Sequence, residues 1–161
     1  SLVPEKNTVE CALLSIEGLR LFEAHDDDGT LTTRRALPPF DRPALAKGMM
    51  RDIRLLFFPP EGPPLVNGHL PSGEPGCRYT LADGYQDIIQ QPSGDIRIQR
   101  YDRNYRLTHR VDITRCQPDS PAGEDAIPCR IHLEAFQPTH YQLDLNLIDA
   151  QPVVDKSGRV P

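Results

Sequence analysis

Apolar and polar residues alternate along two stretches in the second half of the chain, and this alternation restricts the possible folds strongly. Most residues at every second position from Tyr105 to Ile113 are apolar, and the same holds from Tyr141 to Leu147. A period of two places alternate side chains on opposite faces of a β-strand, one buried and one in contact with water. The pattern therefore predicts antiparallel strands that each need a covering layer on one side.

The first half of the chain predicts further strands and one helix. Leu19–Ala36 contains an Asp-Gly pair between two extended stretches, which is typical of a β-hairpin. Pro43–Met50 predicts a short helix with proline in its first turn. Asp52–Phe58 is apolar and predicts a strand, and the proline-rich and glycine-rich stretch Glu61–Gly76 predicts a surface loop or lid. More strands are predicted at Arg78–Leu81, Tyr85–Gln90, Asp95–Tyr101 and Arg130–Phe136.

Length and proline content favour one mainly β domain. The 161 residues correspond to one domain, with residues 1–8 as a loose leader and 152–161 as a tail. The 17 prolines disfavour a mostly helical protein, because proline interrupts helices. One short helix cannot cover so many one-sided strands. The predicted fold is therefore a curved, incomplete antiparallel β-barrel with one or two short helices.

Charge and motifs argue against several functional classes. The net charge of −5 disfavours a protein that binds nucleic acid through phosphate contacts. No apolar run is long enough to predict a transmembrane helix. We find no nucleophile motif, phosphate-binding loop or metal-ligand spacing, so we expect no enzyme activity, no cofactor and no metal site. His109 lies on the apolar face of its strand, where a core histidine is a better interpretation than a ligand.

Two of the four cysteines predict a disulfide. Cys116 and Cys129 flank a loop between two predicted strands, so a bond between them would close that loop. Disulfides form in oxidising compartments, and the alternative is a pair of free thiols in a cytosolic protein. Cys11 and Cys77 form the remaining pair, and their state is left open.

Three short segments carry a family resemblance. Gly18 to Phe22, Leu37-Pro38-Pro39, and Asp52 to Pro59 occur in that order. Together they resemble a family of uncharacterised bacterial predicted lipoproteins related to the lipoprotein-localisation proteins LolA and LolB. The resemblance implies an incomplete β-barrel whose apolar concavity holds an acyl chain or a lipoprotein. It also implies a periplasmic protein, peripherally associated with the outer membrane through an N-terminal lipid anchor that has been removed.

Strand parity gives the candidate lining of that concavity. The inward-facing residues beside the Pro43–Met50 helix are predicted to be Leu55, Phe57, Leu107, Val111, Leu143 and Leu145. The opposite parity, with Leu56 and Phe58 inward, stays open because this run could be buried on both sides. The alternative from another functional class is a structural or protein-interaction β domain with a filled core and no ligand. An apolar pocket of suitable size would favour the acyl-binding hypothesis over this alternative.

Overall fold

A computed structural model describes residues 2–3, 8–27, 29–115, 128–137 and 139–146. The chain divides into two compact units, Ser1–Pro59 and Pro60–Pro161. The described residues form eleven strands and one helix, which confirms the prediction of a mainly β protein. The single domain predicted from the chain length stays a prediction.

The first unit contains a four-stranded antiparallel sheet with strands in sequence order. Its strands are β1 (Leu2–Val3), β2 (Thr8–Leu14), β3 (Arg20–Asp27) and β4 (Thr30–Ala36). β3 and β4 form the hairpin predicted at Leu19–Ala36, and Gly29 adopts a φ of 86° at its turn. β1 lies within the predicted loose leader, so that prediction is wrong for Leu2 and Val3, which pair with β2.

The helix of the first unit is longer than predicted. α1 spans Pro43–Phe57, begins with proline in its first turn and ends just before Pro59. It includes most of the segment predicted as a strand at Asp52–Phe58, so that strand prediction is wrong. Ala46, Met50 and Leu55 are buried along the helix. Met49 and Ile53 pack beside them, so the helical period continues past Met50.

The core of the first unit joins this helix to the sheet. Phe22 is fully buried on β3 and packs with Val9 and Ala24 from the strands, and with Ala46 and Met50 from α1. Each of these strands therefore buries its apolar face against a helix, as the one-sided pattern requires.

The second unit contains a seven-stranded antiparallel meander. Its strands, in spatial and sequence order, are β5 (Val66–His69), β6 (Pro75–Leu81), β7 (Gly84–Gln90), β8 (Ile96–Asp102), β9 (Leu107–Arg115), β10 (Pro128–Ala135) and β11 (Tyr141–Asn146). The predicted loop at Glu61–Gly76 is wrong in part, because it contains β5 and the start of β6. Tyr105 also lies outside the strand predicted for it, in the turn before β9, with a φ of 60°.

Register aligns apolar residues in rows across one face of this sheet. One row runs through Cys77, Ile88, Ile98, Val111, Leu133 and Leu143 on six successive strands. A second row runs through Ile96, Ile113, Ile131 and Leu145. Burial is complete at the centre of the first row, at Val111 and Leu133, and falls toward the sheet edges, where Leu143 is 38% exposed. We refer to this surface as the apolar face.

The described residues form two separate hydrogen-bonded sheets, and neither is closed into a barrel. The sequence predicts a more specific fold than these two sheets, namely a curved, incomplete barrel. That part of the fold prediction stays a prediction.

Candidate functional site

A pocket of about 430 Å³ lies at one end of the seven-stranded sheet. Its wall is formed where β5, β7 and β9 end and where β6 and β8 begin. The residues that line it are Asn67, Gly68, Pro75, Gly76, Cys77, Ile88, Ile89, Gln90, Gly94, Ile96 and Arg115. The volume lies within the range that is usual for small-molecule sites.

Gly76 brings the backbones of β6 and β7 close together at this pocket. Gly68 and Gly76 are register partners on β5 and β6, so no side chain projects from either position. A Cβ atom at Gly76 would collide with the carbonyl oxygen of Ile88 on the neighbouring strand. Gly76 therefore allows β6 to approach β7 more closely than any residue with a side chain would permit.

Most other lining residues belong to the apolar face. Cys77 and Ile88 stand opposite each other in the first apolar row, and Ile96 begins the second row. Arg115 follows Ile113 by two residues on β9 and therefore projects from the same face. The pocket is thus continuous with the apolar face and has a cationic group at one side.

A tight turn supports the pocket wall between β7 and β8. The N–H of Gln91 donates to the carbonyl oxygen of Asp95, and Gly94 in this turn has a φ of 89°. The Ser93 hydroxyl donates to Asp95 over 2.8 Å, and the backbone N–H of Arg115 donates to the same carboxylate over 3.1 Å. These hydrogen bonds, led by that from Ser93, lower the pKa of Asp95.

The structure places four of the predicted lining residues on strands of the second unit. Leu107 and Val111 lie on β9, and Leu143 and Leu145 lie on β11. Val111, Leu143 and Leu145 belong to the two apolar rows, and Leu107 shares the parity of Val111 along β9. None of the four lines the pocket at the end of the sheet. Their role as ligand-lining residues stays a prediction.

The other two predicted lining residues lie on α1 of the first unit, where strand parity does not apply. Leu55 is buried, whereas Phe57 is 44% exposed. On a helix, residues two apart point in directions about 200° apart, so the pair cannot share a face as it would on a strand. The prediction that parity places Leu55 and Phe57 together is therefore wrong.

The opposite face of the seven-stranded sheet is polar and ion-paired. Arg78 donates two hydrogen bonds of 2.7 Å to the buried carboxylate of Asp87, which raises the pKa of Arg78 above its usual value. Three tyrosine rings surround the Arg78 guanidinium at 5.8–6.0 Å from their centroids: Tyr85, Tyr101 and Tyr105. This aromatic cage is filled by the protein's own arginine, so we interpret it as structural.

Three of the five histidines lie in local polar contacts. His109 is 2% exposed and its Nδ1 lies 3.1 Å from the Thr108 hydroxyl. His132 lies 2.9 Å from Asp144, and His140 lies 3.2 Å from Glu134. Within the described part of the chain, no three histidine, cysteine or acidic side chains are grouped closely enough to hold a metal ion.

The structure describes three of the four cysteines. Cys11 and Cys77 carry free thiols, so a disulfide between these two is not formed. Burial raises the pKa of the Cys11 thiol. Cys129 lies on β10, but Cys116 falls outside the described residues. The Cys116–Cys129 disulfide therefore stays a prediction.

Sequence reasoning missed the pocket residues. The sequence did contain one clue to the register of the strands that form the pocket, the four-residue turn Gln91–Gly94. This turn sets the register between β7 and β8 and places Ile88 opposite Ile98. Neither Gly76 nor Arg115 carries a local motif that marks it as part of a site.

Comparison with known proteins found no matching family model, no matching curated protein and no matching solved structure. Among the described residues, no helix has the length and apolar character needed to cross a lipid bilayer.

Proposed function

We propose that this protein binds an acyl chain, carried by a fatty acid or a lipoprotein, and performs no catalysis on it. The observation that carries the proposal is the pocket of about 430 Å³ that continues the apolar face of the seven-stranded sheet. At about 30 Å³ for an atom of water size, such a volume accommodates about 14 carbon-sized atoms, which corresponds to a medium-length acyl chain.

Burial of apolar surface would drive binding. Ile88 and Ile96 contribute branched apolar side chains to the pocket from the apolar face, and Pro75 and Cys77 add further apolar surface. Each buried methylene contributes about 0.8 kcal/mol, so a chain of several methylenes binds without many polar contacts. An envelope location belongs to the same proposal, and its main support is the predicted Cys116–Cys129 disulfide. Peripheral attachment to the outer membrane is proposed from the family resemblance alone.

The alternative is a structural or protein-interaction β domain without a small-molecule ligand. The full burial of Val111 and Leu133 favours it, because the centre of the apolar face is already covered and leaves no room for a chain. The two hypotheses therefore differ in whether the pocket at the end of the sheet binds a ligand.

Titration calorimetry with decanoate as the probe tests the proposal. We expect Ile88→Gln to weaken probe binding about tenfold, because a polar group replaces an apolar wall of the pocket. The matched control is Leu107→Gln, a half-buried residue of the same face that does not line the pocket. Leu143 and Gln142 provide a second pair on opposite faces of β11, and Leu143→Glu tests the wider lining prediction against Gln142→Glu.

Failure of the folded wild-type protein to bind the probe would exclude the proposal and favour the structural domain. Equal losses from Ile88→Gln and Leu107→Gln would place binding elsewhere on the apolar face.

A further inference from the structure

We propose that the pocket selects acyl chains that end in a free carboxylate, and that Arg115 binds this carboxylate. The inference rests on the proposed acyl-binding function and assigns the head group of its ligand. Among the eleven lining residues that the structure describes, Arg115 is the only one with a charged side chain. An apolar pocket with one cationic wall is complementary to an anionic amphiphile.

Three arginines of the seven-stranded sheet form close ion pairs with acidic side chains, whereas Arg115 interacts electrostatically with Asp95 without a close ion pair among the described residues. Arg78 contacts Asp87 at 2.7 Å, Arg97 contacts Asp112 at 2.7 Å, and Arg100 contacts Asp83 at 2.9 Å. Across the described ranges of the chain, no acidic side chain forms an ion pair with Arg115 within 4.0 Å. The Asp95 carboxylate accepts hydrogen bonds from the Ser93 hydroxyl and from the Arg115 backbone nitrogen, and the Arg115 charge is a lesser cause of its lowered pKa.

The geometry fits the chemistry of a fatty acid. Arg115 ends β9, while Ile88 and Ile96 line the same pocket from β7 and β8. A guanidinium presents parallel N–H donors that match the two oxygens of a carboxylate. The head group would therefore lie at Arg115 and the chain would lie against the isoleucines.

Titration calorimetry with dodecanoate and dodecanol tests this assignment, since the two ligands share a chain and differ in charge. We expect wild-type protein at pH 7.5 to bind dodecanoate about fivefold more tightly than dodecanol, because an ion pair near water contributes only modestly. Arg115→Gln should bring the two affinities to equality while leaving dodecanol binding unchanged. The preserved dodecanol affinity then also shows that the variant is folded.

Two controls make the result decisive. Arg106→Gln removes an exposed arginine from the turn between β8 and β9 and should leave the dodecanoate preference intact. Salt at 1 M should reduce the preference in the wild-type protein, because it screens exposed charges. Equal wild-type affinities, or a preference that survives Arg115→Gln, would overturn the inference while acyl binding stands. Absence of binding by both ligands would overturn the proposed function itself.

Discussion

The two units cover their apolar strand faces in different ways. In the first unit, α1 supplies Ala46 and Met50 to a core that surrounds Phe22. In the second unit, no helix occurs among the described residues, and burial decreases from Val111 at the centre of the sheet to Leu143 near its edge. An alternating strand pattern therefore predicts that one face must be covered, but it does not predict whether a helix or another element covers it. In the described part of the second unit, which has no helix, some apolar residues at the ends and edges of the sheet are only half-buried. The pocket lies at one of these ends.

The largest expected effect breaks the helix-covered core. Phe22→Ala should lower the free energy of unfolding by about 4 kcal/mol, because it leaves a cavity under α1. Leu143→Ala, at the partly exposed edge of the second unit, should cost about 1 kcal/mol. Urea unfolding followed by circular dichroism measures both. Similar losses for the two variants would show that the two units do not differ in packing as described.

A smaller effect tests the polar face of the second unit. Asp87→Ala should lower stability by about 3 kcal/mol, because it leaves Arg78 unpaired beneath three tyrosine rings. The matched control is Asp112→Ala, which breaks the more exposed pair with Arg97 and should cost under about 1 kcal/mol. The same urea titration compares them, and a larger loss from Asp112→Ala would contradict the burial difference between these pairs.

The smallest effect concerns the turn beside the pocket. Ser93→Ala should raise the pKa of Asp95 toward its ordinary value, since the Ser93 hydroxyl is the main cause of its low pKa. A carboxyl with a lowered pKa in the folded state stabilises the protein above its unfolded pKa, and this contribution is lost as the pH falls through the folded pKa. Carboxyl chemical shifts in an NMR titration report the pKa directly. An unchanged value would assign the shift to the Arg115 backbone hydrogen bond instead.

Most strands of the second unit were predictable from local sequence. The alternation in Leu107–Ile113 and the turns at Gly84 and Gly94 are encoded within a few residues, and they place strand boundaries well. The hairpin β3–β4 was predictable for the same reason, because its Asp-Gly turn lies between two extended stretches.

The end of α1 was not predictable from local sequence. The run Leu55 to Phe58 is apolar at every position, so it is compatible with both the strand and the helix period. One contact that helps to hold it is distant in sequence: Arg54 donates to the buried Asp26 carboxylate of β3 over 2.7 Å. A contact between residues 28 positions apart leaves no local pattern.

The pocket was not predictable for a related reason. It depends on register between strands, which brings Gly68 opposite Gly76 and places Arg115 near Ile96. Register is set by all the turns together rather than by the composition of one strand. Candidate lining residues chosen from single-strand parity therefore identified the apolar face but not the position on it where space remains.

The close approaches at Gly76 and Gly84 have an evolutionary consequence. A side chain at Gly76 would collide with the carbonyl oxygen of Ile88, and one at Gly84 would collide with that of Tyr101. Apolar residues of the sheet can be exchanged for one another during descent, because many combinations fill the same volume. These two positions, near the start of β6 and at the start of β7, accept hydrogen alone. A diverged descendant that keeps this sheet would thus retain a pair of glycines one strand apart, even after most of its other residues have changed.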